Sequence, residues 1–200
     1  MALAVAAGAT LAAVARQGAG KNMLHKTKTL LKHLWRDASD AQQAIPPDML
    51  ARLTQRVAAS ENRHTGQIRI YVEAALPMSY LWRLNKGVDN TLGALIRQRA
   101  VMLFGKLRVW DLDANNGVLI YLLLAEQAIE IVADRGLSQH ISDAEWQAMV
   151  ARMSANFAQQ HFEDGLTQAL EEVSSLLVQY FPAISGQARS NDIPDEPILR

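Results

Sequence analysis

Asp111, Asp113, Asn115 and Asn116 put four oxygen-bearing side chains within a run of six residues. Ca²⁺ and Mg²⁺ prefer carboxylate and amide oxygens, and donors at alternate loop positions suit them. The run therefore offers a divalent-cation site, with Ca²⁺ or Mg²⁺ as the cofactor. It does not keep the register of an EF-hand loop. Glycine falls at the seventh position, Gly117, instead of the sixth, and Leu122 stands at the twelfth, where a bidentate glutamate is required. Two carboxylates leave the loop short of negative charge, so Asp134 or Asp143, from later connections, is expected to complete a metal site. The same Asp and Asn residues equally suit turns that cap a strand, and both readings stand at this point.

Phosphoryl transfer is the other chemistry within reach. Asp111 or Asp113 would act as the catalytic nucleophile, and Arg108 or Arg135 would hold the phosphate. The chain has no Gly-rich phosphate loop and no Ser/His/Asp arrangement. His64, His140 and His161 are isolated in the sequence and read as surface or capping residues. Cysteine is absent, which excludes thiolate nucleophiles, disulfides and thiolate metal sites.

These residues need a scaffold, and 200 residues with 50% hydrophobic content suffice for one well-buried domain. Met49, Leu50, Leu53, Val57 and Ala58 follow a 3.6-residue period and predict a helix over 48–64, opened by Pro47. From 67 to 75, Ile68, Ile70, Val72 and Ala74 alternate with Arg69, Tyr71 and Glu73, the pattern of a half-buried strand. Residues 76–90 read as a long loop in which Tyr80, Leu81 and Trp82 serve as packing anchors or, if exposed, mark a protein partner's site. Helical spacing returns over 91–107. The Asp-rich run then leads into 117–124, a continuous apolar stretch suited to a central strand covered on both faces. Residues 125–127 form a hairpin connection to a second arm at 128–134, Ser142 and Glu145 form a capping box, and helices follow to about 159 and over 162–181. The order α, β, α, β, β, α, α predicts an α/β fold, a three-layer α/β/α sandwich around a small mixed sheet. The Asp-rich loop then sits at the mouth of the central strand, where open α/β sheets tend to bind ligands.

Charge is unevenly spread. The formal net charge is zero, yet residues 1–47 carry six Lys/Arg against two Asp/Glu, and residues 48–182 carry twelve against fifteen. A neutral-to-acidic body argues against a nucleic-acid partner. Residues 1–22 read as an Ala-rich disordered extension, because the apolar run lacks a preceding positive segment and is too short to span a bilayer. Residues 23–45 form a basic amphipathic arm. Within it, 24–36 interleave Lys26, Lys28, Lys32 and Arg36 with Leu24, Leu30, Leu31, Leu34 and Trp35, which suits either peripheral contact with an anionic membrane or packing on the domain. The domain proper is read over 46–182, and 183–200, with Gly186, Pro194 and Pro197, is expected to be a disordered tail. A cytoplasmic, membrane-peripheral location is expected.

Several stretches, taken together, resemble the TPM domain. They are Gly66-Gln67-Ile68-Arg69, Asn115-Asn116-Gly117-Val118-Leu119-Ile120-Tyr121, Ile129 through Leu137, and Ser142-Asp143. That domain occurs in bacterial proteins, in a thylakoid-lumen protein linked to photosystem repair, and in an auxiliary protein of an acetylcholine receptor. The resemblance implies an α/β/α sandwich, divalent-cation binding as in some members, and the weak acid phosphatase activity of the thylakoid type. It also implies a binding or auxiliary role at a membrane-associated protein partner. Where members usually carry Asp-Asn-Gly before the central strand, this chain has Asn115-Asn116-Gly117, and Asp134-Arg135-Gly136-Leu137 stands where many have Gly-Tyr-Gly-Leu. An inherited metal site is thereby weakened or altered.

Overall fold

A computed structural model describes residues 29–84, 86, 91–183 and 191–200. The extension at 1–22, the arm residues 23–28 and positions 184–190 of the tail lie outside the described residues. Residues 29–34 are helical (α1). Asp37 then opens α2 (Ala38–Ala44) with a capping box, its carboxylate accepting from Ser39 N while Asp40 accepts from Asp37 N. α3 (Pro47–Glu61) starts on a proline, whose missing N–H has no partner to lose in a first turn. Glu61 ends that helix and reaches forward, its Oε1 accepting from Ile68 N at 2.8 Å, and so ties α3 to β1 (Ile68–Glu73).

The crossover from β1 holds α4 (Met78–Leu81) and α5 (Leu92–Lys106) and returns to β2 (Val118–Leu123), which pairs parallel with β1. A 3-10 turn at Leu124–Glu126 and a left-handed Gln127 (φ 51°) reverse the chain into β3 (Ala128–Ala133), antiparallel to β2. α6 (Arg135–Ser138), α7 (Asp143–Ala158) and α8 (Phe162–Tyr180) follow, and Ser142 and Glu145 make the expected capping box at the start of α7. β4 (Ile198–Leu199) adds in parallel to the free edge of β1, giving the order β3-β2-β1-β4.

Side chains alternate across this sheet and generate two cores. Ile68, Ile70, Val72, Val118, Ile120, Leu122, Ile129 and Ile131 pack with α3, α7 and α8 on one face. Tyr71, Leu119, Tyr121, Leu123 and Val132 pack on the other with Leu81, Ile96, Ala100, Leu103 and Phe104 of α4 and α5. The three-layer α/β/α sandwich is therefore present, with both faces of a mixed sheet covered.

Four readings from the sequence change. β1 is not half exposed: all six residues are buried, because α5 covers the face that carries Tyr71 and Glu73. The charge there is neutralised by Arg99, whose Nε and Nη2 donate to Glu73 Oε2 and Oε1 at 2.9 and 2.5 Å, while Tyr121 OH donates to Oε2 at 2.7 Å. The domain begins before Pro46, since Ala41 and Ile45 belong to the first core. His64 is buried, not superficial, with Ser60 Oγ and Gly66 O at 3.0 Å from its two ring nitrogens.

The tail is the fourth. Residues 191–200 pack on the sheet, where Ile193 enters the second core. Gln67 Oε1 accepts from Asp192 N and Ile193 N, and Arg69 donates to the carbonyls of Pro194 and Glu196. Ala74 N and Arg200 N complete the β4 pairing, onto Arg200 O and Val72 O. The segment is ordered here by Gln67 and Arg69 together with the packing of Ile193, Ile198 and Leu199, and β4 covers an otherwise exposed sheet edge.

Arg99→Met would strand the buried Glu73 carboxylate and is expected to lower unfolding free energy by about 3 kcal/mol, read as a shift in urea midpoint, with Glu73→Gln in the same chain recovering part of it. A chain ending at residue 190 loses Ile193, β4 and the partners of Arg69. It is expected to melt several degrees lower, for a loss of about 2 kcal/mol by calorimetry.

Candidate functional site

The Asp-rich loop starts where α5 ends. Leu107 caps that helix, Arg108 turns the chain with φ 56°, and Val109 is fully buried beneath it. Asp111 and Asp113 then stand in solvent, as do Arg108 and Arg135. Asn115 takes the left-handed conformation (φ 51°), which asparagine tolerates better than most residues, and its Nδ2 donates to Asp113 O at 3.4 Å. Gly117 is required by close approach: a Cβ there would lie 1.9 Å from the Val109 carbonyl oxygen. The turn is also held from the far side, where Asp134 N donates to Gly117 O and Gly136 N to Asn115 O, both at 2.9 Å. A Cβ on Gly136 would meet the Ala114 and Asn115 carbonyl oxygens at 2.6 and 2.5 Å. The loop and the start of α6 thus interlock through two glycines and two backbone hydrogen bonds.

The sequence-derived residues divide accordingly. Asn116 is buried and its Nδ2 donates to Thr65 Oγ1 at 3.2 Å, which ties the loop to the connection into β1. Asp143 begins α7 in solvent, and its charge acts on Arg97, which sits at the β3 side with Nη1 donating to Ile131 O and Glu130 Oε2. Asp134 is the one that joins the loop. Its carboxylate caps α6, with Oδ1 accepting from Arg135 N at 2.7 Å. The residue is only 7% exposed, and Oδ2 is buried without a hydrogen-bond partner. Burial pushes the Asp134 carboxyl above its ordinary pKa, against the Arg135 amide and charge that pull it down. Among the described residues, no three His, Asp or Glu side chains converge as a closed metal centre would require. What the loop provides instead is one buried carboxylate oxygen, nearby main-chain carbonyls and two exposed aspartates.

The loop's place in the sheet also differs from expectation. It lies at the amino ends of β1 and β2 and the carboxyl end of β3, as the Val118 N to Gln67 O and Asp134 N to Gly117 O bonds require. The carboxyl ends of the parallel strands, where α/β sheets usually bind ligands, are occupied by α1. There His33 is buried, its Nδ1 accepting from Leu76 N at 3.0 Å while Nε2 faces Glu126 Oε1 at 3.2 Å. Accepting at Nδ1 puts the ring proton on Nε2, which then donates to Glu126. Although burial raises the Glu126 carboxyl, His33 and Lys32 outweigh it and hold the group below its ordinary value. Nothing in the sequence singled out His33, which stands alone among lysines and leucines. His140, by contrast, is exposed and stacks on Tyr180 with ring centroids 4.5 Å apart.

Comparison with known proteins agrees with this architecture. The solved NMR structure of the BA42 protein from the psychrophilic bacterium Bizionia argentinensis is similar to this chain in fold, with a TM-score of 0.62. The two share 21% sequence identity over 77% of this chain and 94% of that one. No curated protein matches the sequence. The family model of the TPM domain matches residues 38–176, from the start of α2 into α8. The chain belongs to the TPM domain family.

Proposed function

We propose that this TPM domain is a binding module whose 111–117 loop takes a divalent cation weakly, through Asp134, and so tightens the joint between the loop and α6. The observation that carries the reading is Asp134 Oδ2, a buried carboxylate oxygen without a hydrogen-bond partner, on a residue whose own N donates to Gly117 O of the loop. An unsatisfied buried polar atom costs about 1–3 kcal/mol, and a hard cation is the ligand that relieves a lone carboxylate without needing a donor. Asp134 would supply the anionic ligand, the Ala114 and Asn115 carbonyls neutral ones, and Asp111 or Asp113 the solvent side. Asn116, whose Nδ2 donates to Thr65 Oγ1, and Asp143, exposed at the start of α7, are not needed as ligands. With one buried charge the site would be weak, and its role would be to stiffen a docking surface for a protein partner. Weak phosphatase chemistry has less support, because Asp111, Asp113, Arg108 and Arg135 all stand in solvent and are not preorganised around a phosphate.

Asp134→Asn keeps an oxygen for the α6 cap and removes the buried charge. Without cations at pH 7 the variant is expected to be more stable than wild type by about 1 kcal/mol, or a few degrees in melting temperature. The sign follows from linkage. A carboxyl with a raised folded pKa favours the protonated state, so its ionised form costs stability at neutral pH, and the cost disappears as the pH falls through that pKa. The gap between variant and wild type should therefore close on approach to about pH 4, the ordinary carboxylate range. Millimolar CaCl₂ or MgCl₂ should raise the melting temperature of wild type only. If both chains respond equally, Asp134 is not the ligand and the reading falls. The same samples, assayed with a chromogenic phosphate ester alongside Asp111→Ala and Asp113→Ala, are expected to show no turnover that these substitutions alter.

A further inference from the structure

We propose that α1 and the end of α4 together form a docking face for an anionic lipid bilayer. Among the described residues six large apolar side chains remain exposed, and five of them lie on these two elements or on the residue directly after each: Leu31, Leu34, Trp35, Met78 and Trp82. Trp110 is the sixth, beside the Asp-rich loop. Leu31, Leu34 and Trp35 are spaced i, i+3, i+4 and share one face of α1. The opposite face is already committed to the domain through Thr29, Leu30 and His33. The Leu31, Leu34 and Trp35 side of α1 thus stays exposed, without a packing partner among the described residues.

The two elements are neighbours. His33 accepts from Leu76 N, two residues before α4, and Leu30, Tyr80 and Leu81 pack in the same core. The segment read from sequence as packing anchors is split by the fold, with Leu81 buried and Trp82 65% exposed. Trp35 is 84% exposed. Two tryptophans at this exposure are costly to leave in water, and their part-polar rings suit the headgroup level of a membrane.

Charge selects the lipid. Among the described residues at this end, Lys32, Arg36, Arg83 and Lys86 stand against Asp37 and Glu126, whereas residues 37–200 as a whole carry fourteen Lys/Arg against twenty Asp/Glu. Arg83 and Lys86, beside Trp82, are exposed, and no acidic residue lies between Met78 and Lys86. Lys32 is engaged by Glu126 at 3.6 Å with its side chain still 44% exposed. A cationic, Trp-bearing face on an otherwise acidic molecule orients that molecule toward negative headgroups and turns its acidic remainder away. No helix among the described residues is long and apolar enough to cross a membrane, so the contact is peripheral. It places the Asp-rich loop at the other end of the sheet and is independent of whether that loop takes a cation.

The test is co-sedimentation of the full chain with vesicles of phosphatidylcholine alone and of phosphatidylcholine mixed with phosphatidylglycerol. Partition onto the anionic vesicles is expected to exceed that onto the neutral ones by about tenfold or more at low salt, and to fall in about 0.5 M NaCl. Trp35→Ala with Trp82→Ala should reduce it about tenfold with the melting temperature unchanged, since both side chains are exposed. Trp110→Ala should leave partition as in wild type. Equal retention on both vesicle types, or equal loss for Trp110→Ala and the tryptophan pair, overturns the proposal. So does a self-association in sedimentation velocity that the pair abolishes while no vesicle is retained, which would assign the face to a second copy of the chain.

Discussion

All six residues of β2 are buried, and a strand with no open face must be sheathed on both sides. Much of the architecture answers that requirement. Ile120 and Leu122 point to α7 and α8, Leu119 and Tyr121 to α5, and the neighbouring strands extend each layer. Polar side chains then have few places to be. Glu73 and Glu130, which fall within buried strands, are matched by Arg99 and Arg97 from α5. Such pairs rarely add much net stability, but removing one partner leaves a charge in low dielectric, so they lock α5 to the sheet in one register. Tyr121 joins the first pair, and burial, reinforced by Glu73, pushes its hydroxyl well above its ordinary pKa, so it remains a donor to the carboxylate.

Chemistry is thereby confined to the two ends of the sheet, and the ends are built differently. At the amino ends of β1 and β2, backbone meets backbone so closely that Gly117 and Gly136 cannot carry side chains. That closeness shapes a turn whose carbonyls crowd one another and leaves Asp134 half satisfied. At the carboxyl ends a helix is laid across the strands instead, with His33 supplying the acceptor that Leu76 N would otherwise lack. One end holds the unpaired, buried Asp134 oxygen, and the other is covered by an element whose Leu31, Leu34 and Trp35 side is exposed among the described residues.

Most of the fold was legible because it depends on local periodicity. The alternation in β1, the unbroken apolar run of β2 and the Ser142–Glu145 box all carry their signals within a few residues, and each element formed where it was expected. The losses came from contacts between distant residues. Residues 191–200 have only three large apolar residues, Ile193, Ile198 and Leu199, and are ordered by their packing together with Gln67 and Arg69, more than 120 positions earlier. Arg99 and Glu73 are invisible as a pair in either segment, although charges inside apolar elements must find partners. That rule, applied to Glu73, Glu130, Arg97 and Arg99, could have found both pairs. In the candidate site, Asp134 was legible as a neighbour of the loop through the paired Asn-Asn-Gly and Asp-Arg-Gly segments. The hydrogen bond from Asn116 to Thr65 was not, since it follows from how the loop packs against the connection into β1, not from spacing.

The central claim is that a cation is held between the 115–117 turn and the start of α6 by Asp134. A CaCl₂ titration of ¹⁵N-labelled protein, followed by amide chemical shifts, tests it directly. Saturating shifts confined to Asn115, Asn116, Gly117, Arg135 and Gly136, absent from Asp134→Asn, are what the account predicts. Shifts centred elsewhere, or the same shifts in both chains, would contradict it.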